Sequence, residues 1–437
     1  MTDHVFQPET LAIHAGQVPD RETGARALPI YQTTSFVFDS AEHAAALFNL
    51  QTFGNVYSRL SNPTVAALEE RVAALEGGRA AVASASGMAA EAMALMTLLQ
   101  AGDHVVAAGA LYGGTVTMLA VSLAKFGITT SFVDAKNPES FAAAMRPNTR
   151  AVFAESLGNP SLVLLDIAAV ADVAHAHGVP LVIDNTVPSP FLCNPLAHGA
   201  DIVVHSATKY LAGHGTTLGG VMVEGGRFPW DNGKFPGMTE PSDGYHGVKF
   251  YETFGDFGFS MRARMETLRV YGAALSPLSA WQILQGVETL PLRMERHCSN
   301  ALKVAEFLRD HRHVRWVNYP GLADHPQHAL LRRQMRSVGG VPGASGLLAF
   351  GVKSPQGSGL AAGVKFIESA RFMSHLANIG DTRTLMIHPA STTHRQLSDE
   401  QQIAAGVLPD MVRLSVGLEH IDDILWDIDQ ALVAAVA

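Results

Sequence analysis

The order of apolar segments in this chain predicts an α/β protein, with a mostly parallel central sheet in a large first domain and a smaller α+β domain after it. Three observations carry that expectation. Between residues 80 and 225, seven short segments read as strands, and helical stretches fall between most of them. Several of those segments are apolar throughout, not alternately, which is the pattern of a sheet covered on both faces. The chain's 437 residues also exceed what one compact core of usual size holds, so at least two domains are expected.

Residues 1 to about 60 show no sustained period. QTTSFVF (32–38) reads as a short extended piece, and SAEHAAALFNL (40–50) as a helix capped by Ser40. GNVYSRLSNPT (54–64) is polar and turn-rich, with aromatic and cationic residues together. An arm with so little core of its own must pack on another domain or another subunit. From Thr64, TVAALEERVAALEGG is an amphipathic helix with Val65, Leu68, Val72 and Leu75 on one face and Gly77 as its stop.

The strand segments are AAVASAS (80–86), HVVAAG (104–109), TTSFVD (129–134), RAVFAES (150–156), PLVIDNT (180–186), DIVVHS (201–206) and GGVMVEG (219–225). A helix follows Gly87 through Leu99, and another covers LDIAAVADVAHAHG (165–178). Residues 105–124 carry no charge over a length that could nominally cross a membrane. Gly109, Gly113 and Gly114 divide that stretch, so it reads as a buried strand, loop and helix, and no membrane span is expected.

Residues 228–258 break the alternation with Gly, Pro, Phe, Tyr and Asp and read as a long ordered loop or insertion. Residues 261–299 are mostly helical and bridge to the last domain. There a long helix spans about 291–310, and VRWVNYPG, SGLLAFGV, RTLMIHP and MVRLSVG carry strands. AAGVKFIESA and residues 419–436 are helical. The expected division is an arm at 1–60, a large α/β domain at 61–275 with the insertion at about 228–258, and an α+β domain at 276–437.

A net charge of -9 and the absence of any basic run argue against a nucleic-acid surface. A small anionic substrate stays open, because it needs only a local cluster of cations. Cys193 and Cys298 are far apart and belong to no CxxC pattern, so neither a disulfide framework nor a thiolate metal site is expected. A reducing, cytoplasmic setting suits them, and the N-terminal residues have no signal-peptide profile. Pairs such as His311 and His313, or His325 and His328, lie in charged, surface-like segments, and no metal is expected.

The chemistry concentrates at strand ends. In DIVVHSATKYLAGHGTTLGG (201–220) an apolar strand runs into Ser206, Thr208 and Lys209. A lysine there, partly desolvated, could attack an aldehyde cofactor as the free amine; the alternative is a solvated strand-end lysine. Ser86, Gly87 and Met88 lie where a strand turns into a helix, so their N–H groups could hold a phosphate, or Ser86 could simply cap the helix. Asp184 ends a buried strand and would suit a protonated heterocyclic nitrogen, or it could cap its own loop through the N–H of Asn185 or Thr186. Tyr112 could stack, transfer protons or pack. The glycines of GHGTTLGG lack the spacing of a nucleotide loop and instead permit close backbone approach beside Lys209.

YSRLSNPT, SASGMAA, LYGGT, FAESLGNP, VIDNT, HSATKYLAGHG, HPASTTH and RLSVGLE, in that order, resemble the pyridoxal-phosphate enzymes of cysteine and methionine metabolism over nearly the whole chain. Within that group the chain looks most like the O-acetylhomoserine aminocarboxypropyltransferases. Three features point there: the insertion at 228–258, AALSPLSAWQILQGVETLPLRMERH, and HLANIGDTRTLMIHPASTTHRQL. The resemblance implies the pyridoxal-phosphate transferase fold of aspartate-aminotransferase type, with a seven-stranded central sheet, and pyridoxal 5'-phosphate as cofactor. It implies a homo-oligomer, a tetramer built from dimers that share active sites. It further implies replacement of acetate in O-acetylhomoserine by sulfide or a small thiol.

By the same resemblance Lys209 bonds the cofactor and, once released, shuttles protons. Asp184 pairs with the ring nitrogen, and Tyr112 stacks on the ring. Gly87, Met88, Ser206 and Thr208 hold the phosphate, with Tyr57 and Arg59 reaching in from a neighbouring subunit. Arg413 clamps the substrate carboxylate, with Asn159, Tyr57 and Ser391 also on the substrate side. Glu155, Asn159 and Asn185 orient the cofactor and its aspartate. Gly114 departs from the cysteine that some sulfur-amino-acid lyases carry there, which disfavours a methionine gamma-lyase. The competing readings are a succinyl-ester synthase or sulfhydrylase, a gamma-lyase, and an inactive cofactor-binding homologue.

Overall fold

The computed structural model describes residues 4–354, 358–393, 395, 400, 402 and 406–437. The seven strand segments all form and join one sheet: β1 (Ala80–Ser84), β2 (His104–Ala108), β3 (Thr129–Val133), β4 (Thr149–Glu155), β5 (Leu181–Asp184), β6 (Ile202–Ser206) and β7 (Gly220–Glu224). Their spatial order is β1-β7-β6-β5-β4-β2-β3. β7 runs antiparallel to both its neighbours, and every other adjacent pair is parallel. Continuously apolar β2 and β7 are buried along their whole length, as strands covered on both faces must be.

Register decides where the chemistry goes. Glu155 pairs with Asp184 across β4 and β5, and Ser206 pairs with Gly220 across β6 and β7. The carboxyl ends of the parallel strands therefore share one edge, the usual place for a ligand crevice in such sheets.

The helix Pro63–Glu76 buries Val65, Leu68, Val72 and Leu75, but also Glu69, Arg71 and Glu76. Each buried charge is matched. Glu69 accepts from the Ala83 N–H and from Arg264, Arg71 donates to the Ala15 carbonyl and Gln17, and Glu76 accepts from Asn185 and His205. The helix lies between sheet and arm, so it has no fully polar face. The arm contains a helix, Pro8–His14, that the sequence did not suggest; seven residues are too few to display a period. Ser40 caps the helix Ala41–Phe48 by accepting from the His43 N–H. Residues 228–258 form short helical turns, held by aromatic packing such as Trp230 stacked on Phe259 with ring centroids 5.1 Å apart.

The second sheet contains β8 (Val314–Asn318), β9 (Leu347–Val352), β10 (Ser374–His375), β11 (Leu385–Ile387) and β12 (Met411–Ser415), in the order β10-β11-β12-β9-β8. Only the two-residue β10 pairs in parallel, and it was not expected. The helices Gly359–Ser369 and Ile421–Val436 pack together over this sheet. Among the described residues no helix is long and apolar enough to cross a membrane.

The two sheets meet at Lys209, and a buried arginine fastens the junction. Arg293, on the helix Leu290–Asp310, donates to the carbonyls of Tyr210, Leu211 and Gly286. Its guanidinium lies where a Cβ at Gly213 would be only 2.2 Å from Nη1, and Gly213 has φ +75°. Both facts require glycine there. Replacing Arg293 by leucine leaves the Tyr210 and Leu211 carbonyls without their donor, while Gly286 keeps the N–H and hydroxyl of Thr289. This should cost on the order of 3 kcal/mol, seen as a lower thermal midpoint of the holoenzyme; an unchanged midpoint would refute the fastening role.

Candidate active site

A cavity of about 230 Å³ opens at the shared carboxyl edge of the first sheet. Its floor comes from that edge: Ser86, Gly87 and Met88 after β1, Tyr112 after β2, Glu155 ending β4, Asp184 ending β5, and Ser206, Thr208 and Lys209 at and after β6. Asn378 and Arg413 close it from the second sheet's side, and Asn159 also lines it.

Two cations line this cavity among the described residues, Lys209 and Arg413, and neither forms an ion pair there. Lys209 Nζ donates to Asn378 Oδ1. Burial, and then the charge of Arg413, lower its pKa to about 8. Arg413 is 9% exposed, and burial takes its pKa down to about 10. Its Nη1 donates to Asn159 Oδ1 at 2.9 Å and its Nη2 to the Asn378 carbonyl at 3.0 Å. Its Nε has no partner among the described residues. A buried guanidinium held by neutral acceptors only is a receptor for a carboxylate.

The opposite wall is acidic. Glu155 accepts from the N–H groups of Tyr112 and Asn159, so one side chain fixes both loops. Burial and the neighbouring Asp184 raise its pKa well above the carboxylate range. Asp184 Oδ1 accepts from the Thr186 N–H at 2.8 Å, so the loop-capping alternative holds, and the carboxyl still lines the cavity. Burial raises the Asp184 pKa, while hydrogen bonds from Thr186 and Glu91 and the charge of His205 work against that rise.

Ser86 Oγ accepts from the Ala89 N–H and caps the helix Gly87–Leu98. The first-turn N–H groups of Gly87 and Met88 have no preceding helical carbonyls to bond. A Cβ at Gly87 would lie 2.6 Å from Ser206 Cβ, so only glycine lets this helix start reach the hydroxyls after β6. Thr208 Oγ1 accepts from the Gly219 N–H at 3.0 Å. A helix N-terminus beside two hydroxyls is an arrangement that can take a phosphate. Together with an acid for a ring nitrogen, a half-exposed tyrosine and an amine of lowered pKa, it fits pyridoxal 5'-phosphate from one end to the other.

The comparisons agree with that fit. The profile of the "Cys/Met metabolism PLP-dependent enzyme" family matches residues 9–433. The chain belongs to that family. An O-acetyl-L-homoserine sulfhydrylase of Leptospira meyeri is 56% identical over 98% of this chain and 97% of its own. An O-acetyl-L-homoserine sulfhydrylase of Thermus thermophilus is 51% identical over 97% and 99%. A Campylobacter jejuni crystal structure, described as a putative O-acetylhomoserine (thiol)-lyase with a pyridoxyl-lysine phosphate, superposes with a TM-score of 0.93. It is 40% identical and covers 98% of this chain and 100% of that one.

Lys209, Asp184, Tyr112, Gly87, Met88, Ser206, Thr208, Asn159 and Arg413 all come together around this family member's cavity. Tyr57 and Arg59 do not line it; Arg59 sits over the exposed Tyr57 ring, 5.4 Å from its centroid. Ser391 is also off the lining, its hydroxyl paired with His388 Nδ1 at 2.9 Å, while Thr393 does line the cavity. Asn185 lies behind the site, accepting from Ser156 and donating to Glu76 and the Cys193 carbonyl. Sequence reasoning missed Asn378 and Glu91. Asn378 stands in HLANIGD, a quoted motif, but nothing local marks it as touching Lys209. Glu91 did carry a signal, as a lone acid in the apolar helix GMAAEAMALMTL.

The low basicity of Lys209 has a measurable consequence. Only the deprotonated amine bonds an aldehyde, so cofactor capture by cofactor-free protein should speed up with pH and level off above about 8. A rate still climbing toward the ordinary lysine value of 10.5 would show that burial does not act on this amine.

Proposed function

We propose that this chain replaces the acetate of O-acetyl-L-homoserine with sulfide or a small thiol, giving L-homocysteine and acetate. The observation that carries the reading is Arg413, a buried cation with no ion pair among the described residues, facing the same cavity as the amine of Lys209. It suits the α-carboxylate of an amino acid. The names of the two sulfhydrylase relatives support the acetyl ester and sulfide. The charge inventory favours the acetyl ester as well. A succinyl ester brings a second carboxylate, and no cation besides Lys209 and Arg413 lines the cavity among the described residues.

When bound, pyridoxal 5'-phosphate supplies an electron sink that acidifies the substrate's α carbon. Gly87, Met88, Ser206 and Thr208 would hold its phosphate, and Asp184 would hold the proton on its ring nitrogen. Tyr112 would cover the ring. Arg413, braced by Asn159 and Asn378, would orient the substrate through its carboxylate. Lys209 Nζ would take the proton from Cα, and a further proton would leave Cβ before acetate departs from Cγ. Hydrosulfide would then bond Cγ, a proton would return to Cβ, and Lys209 Nζ would return one to Cα, giving L-homocysteine. Glu155 would keep the loops of Tyr112 and Asn159 in place through their N–H groups.

The arm at 1–60 completes a neighbour's site in this proposal, with Tyr57 and Arg59 meeting the phosphate there. The exposed apolar residues Val5, Phe6, Val18 and Val37 support a covered arm. The domains 61–275 and 276–437, a tetramer of site-sharing dimers, and a cytoplasmic setting for the two free buried thiols complete the reading.

Assay of acetyl and succinyl homoserine esters, each with and without sulfide, tests the reaction. Homocysteine should form from the acetyl ester with sulfide at a kcat/KM about 100-fold above that of the succinyl ester. Oxobutyrate released without sulfide, at an equal rate, would make the chain a lyase instead. Mixed oligomers test the shared site. Arg59→Ala and Lys209→Ala subunits, each inactive or cofactor-poor alone, should regain activity when refolded together. No recovery in a proven mixed oligomer would remove the cross-subunit role.

A further inference from the structure

Glu91 is a buried acid that the reaction scheme above leaves without a task. It lies on the helix Gly87–Leu98, is 3% exposed, and lines the cavity. Thr115, whose side chain is fully buried, donates from Oγ1 to Glu91 Oε2 at 2.8 Å. The Asp184 carboxyl is its hydrogen-bonding neighbour, and Glu155 is a further acid near enough to act on it. Lys209 and Arg413, the cations of the cavity, are engaged with Asn378 and Asn159 and form no ion pair with Glu91. Two hydrogen-bonded carboxyls, both buried and with no ion pair to either among the described residues, are not both ionised, so one holds a proton and donates it to the other.

We infer that Glu91 is a positioning residue for Asp184: its protonated carboxyl donates to Asp184 and leaves Asp184 the ionised member, aimed at the cofactor's ring nitrogen. The donors divide unequally and put the proton on Glu91: Asp184 accepts from both the N–H and the hydroxyl of Thr186, Glu91 from the Thr115 hydroxyl alone. The Thr115 hydroxyl donates to one oxygen of Glu91 as to a carbonyl, which leaves the other oxygen to carry the O–H. Asp184 meanwhile accepts from the Thr186 N–H, a bond that favours its anion. The electrostatics run the same way. Burial and the charge of Asp184 raise Glu91 well above the carboxylate range, whereas the bond from Glu91 works against the rise at Asp184. A buried carboxylate needs such a neutral donor, because a lysine or arginine in that place would neutralise it before the ring nitrogen could. The inference rests on the cofactor reading above and extends it to the wall behind Asp184.

E91Q keeps a donor toward Asp184, and E91L removes it. Three readouts separate positioning from simple packing. The holoenzyme of E91L should lose cofactor on dialysis about 10-fold faster than wild type. Its kcat should fall by a similar factor, with the KM for the ester within about 2-fold, since Arg413 is untouched. E91Q should restore both to within about 3-fold. Third, the infrared carbonyl absorption of protonated carboxylic acids in the full-length protein should lose one carboxyl's intensity in E91Q, with Glu155 and Glu224, also raised by burial, keeping theirs. Persistence of that band with unchanged intensity would place the proton elsewhere and overturn the inference. So would wild-type cofactor retention and kcat in E91L. If E91L does not fold, the band in E91Q decides. Failure of the cofactor reading itself looks different: wild-type protein would show neither the absorbance of a lysine-bound cofactor nor turnover of any ester.

Discussion

The site depends on opposite charges that are buried together and kept from meeting. Lys209 and Arg413 face Asp184 across a cavity of about 230 Å³, with the carboxyls of Glu91 and Glu155 beside it pushed toward their neutral forms, and no ion pair crosses it among the described residues. Left free to collapse, such groups would pair, because Coulomb attraction grows as water is excluded. Each is instead tied to a neutral or backbone partner: Lys209 to Asn378, Arg413 to Asn159 and the Asn378 carbonyl, Glu155 to two N–H groups, Asp184 to the Thr186 N–H. These bonds orient the charges without cancelling them. What remains is a space whose two ends call for opposite ligands, a carboxylate at Arg413 and a protonated ring nitrogen at Asp184.

That separation is enforced from a distance. The β4–β5 register sets Glu155 beside Asp184, and the β6–β7 register fixes where Ser206 ends. Behind them Glu76 accepts from both Asn185 and His205, joining the helix Pro63–Glu76 to the ends of β5 and β6. Arg293 performs the matching task from the other side, holding the carbonyls that follow Lys209. Both connectors are buried charges paid for by hydrogen bonds, and such arrangements favour one geometry more than they add stability. Rigid placement is what a reaction needs when its residues come from two sheets.

Much of this was legible in the sequence, for a definite reason. A strand buried on both faces writes its burial into consecutive residues, and HVVAA, LVID and IVVHS are readable for that reason. Functional residues at strand ends inherit that legibility, so Asp184 and Lys209 could be placed relative to the sheet. The two-residue β10 and the helix Pro8–His14 are too short for any period, and neither could be read. Asn378 was invisible because its contacts with Lys209 and Arg413 span 169 and 35 residues of sequence. Residue chemistry also left real alternatives at Ser86 and Asp184, and the structure shows that these were not exclusive. Ser86 caps its helix while the next two residues line the cavity, and Asp184 caps its loop while facing the same space.

Domain packing and acid–base chemistry are linked most directly at Lys209. Burial is the larger cause of its lowered pKa, and Asn378 and Arg413, which both line the cavity, come from the second sheet's side. The amine is therefore less basic because the two sheets meet over it, and an opening of that junction would return it toward an ordinary lysine. The charge of Arg413 is the smaller cause, and it can be switched. A substrate carboxylate seated on the guanidinium offsets that charge, so the lysine amine is a stronger base with substrate present than in the free site. The direction suits both of the tasks proposed for it. A less basic amine loses its proton more readily, and so bonds an aldehyde at lower pH, while the site waits; a more basic one is better at taking the proton from Cα once the substrate has arrived.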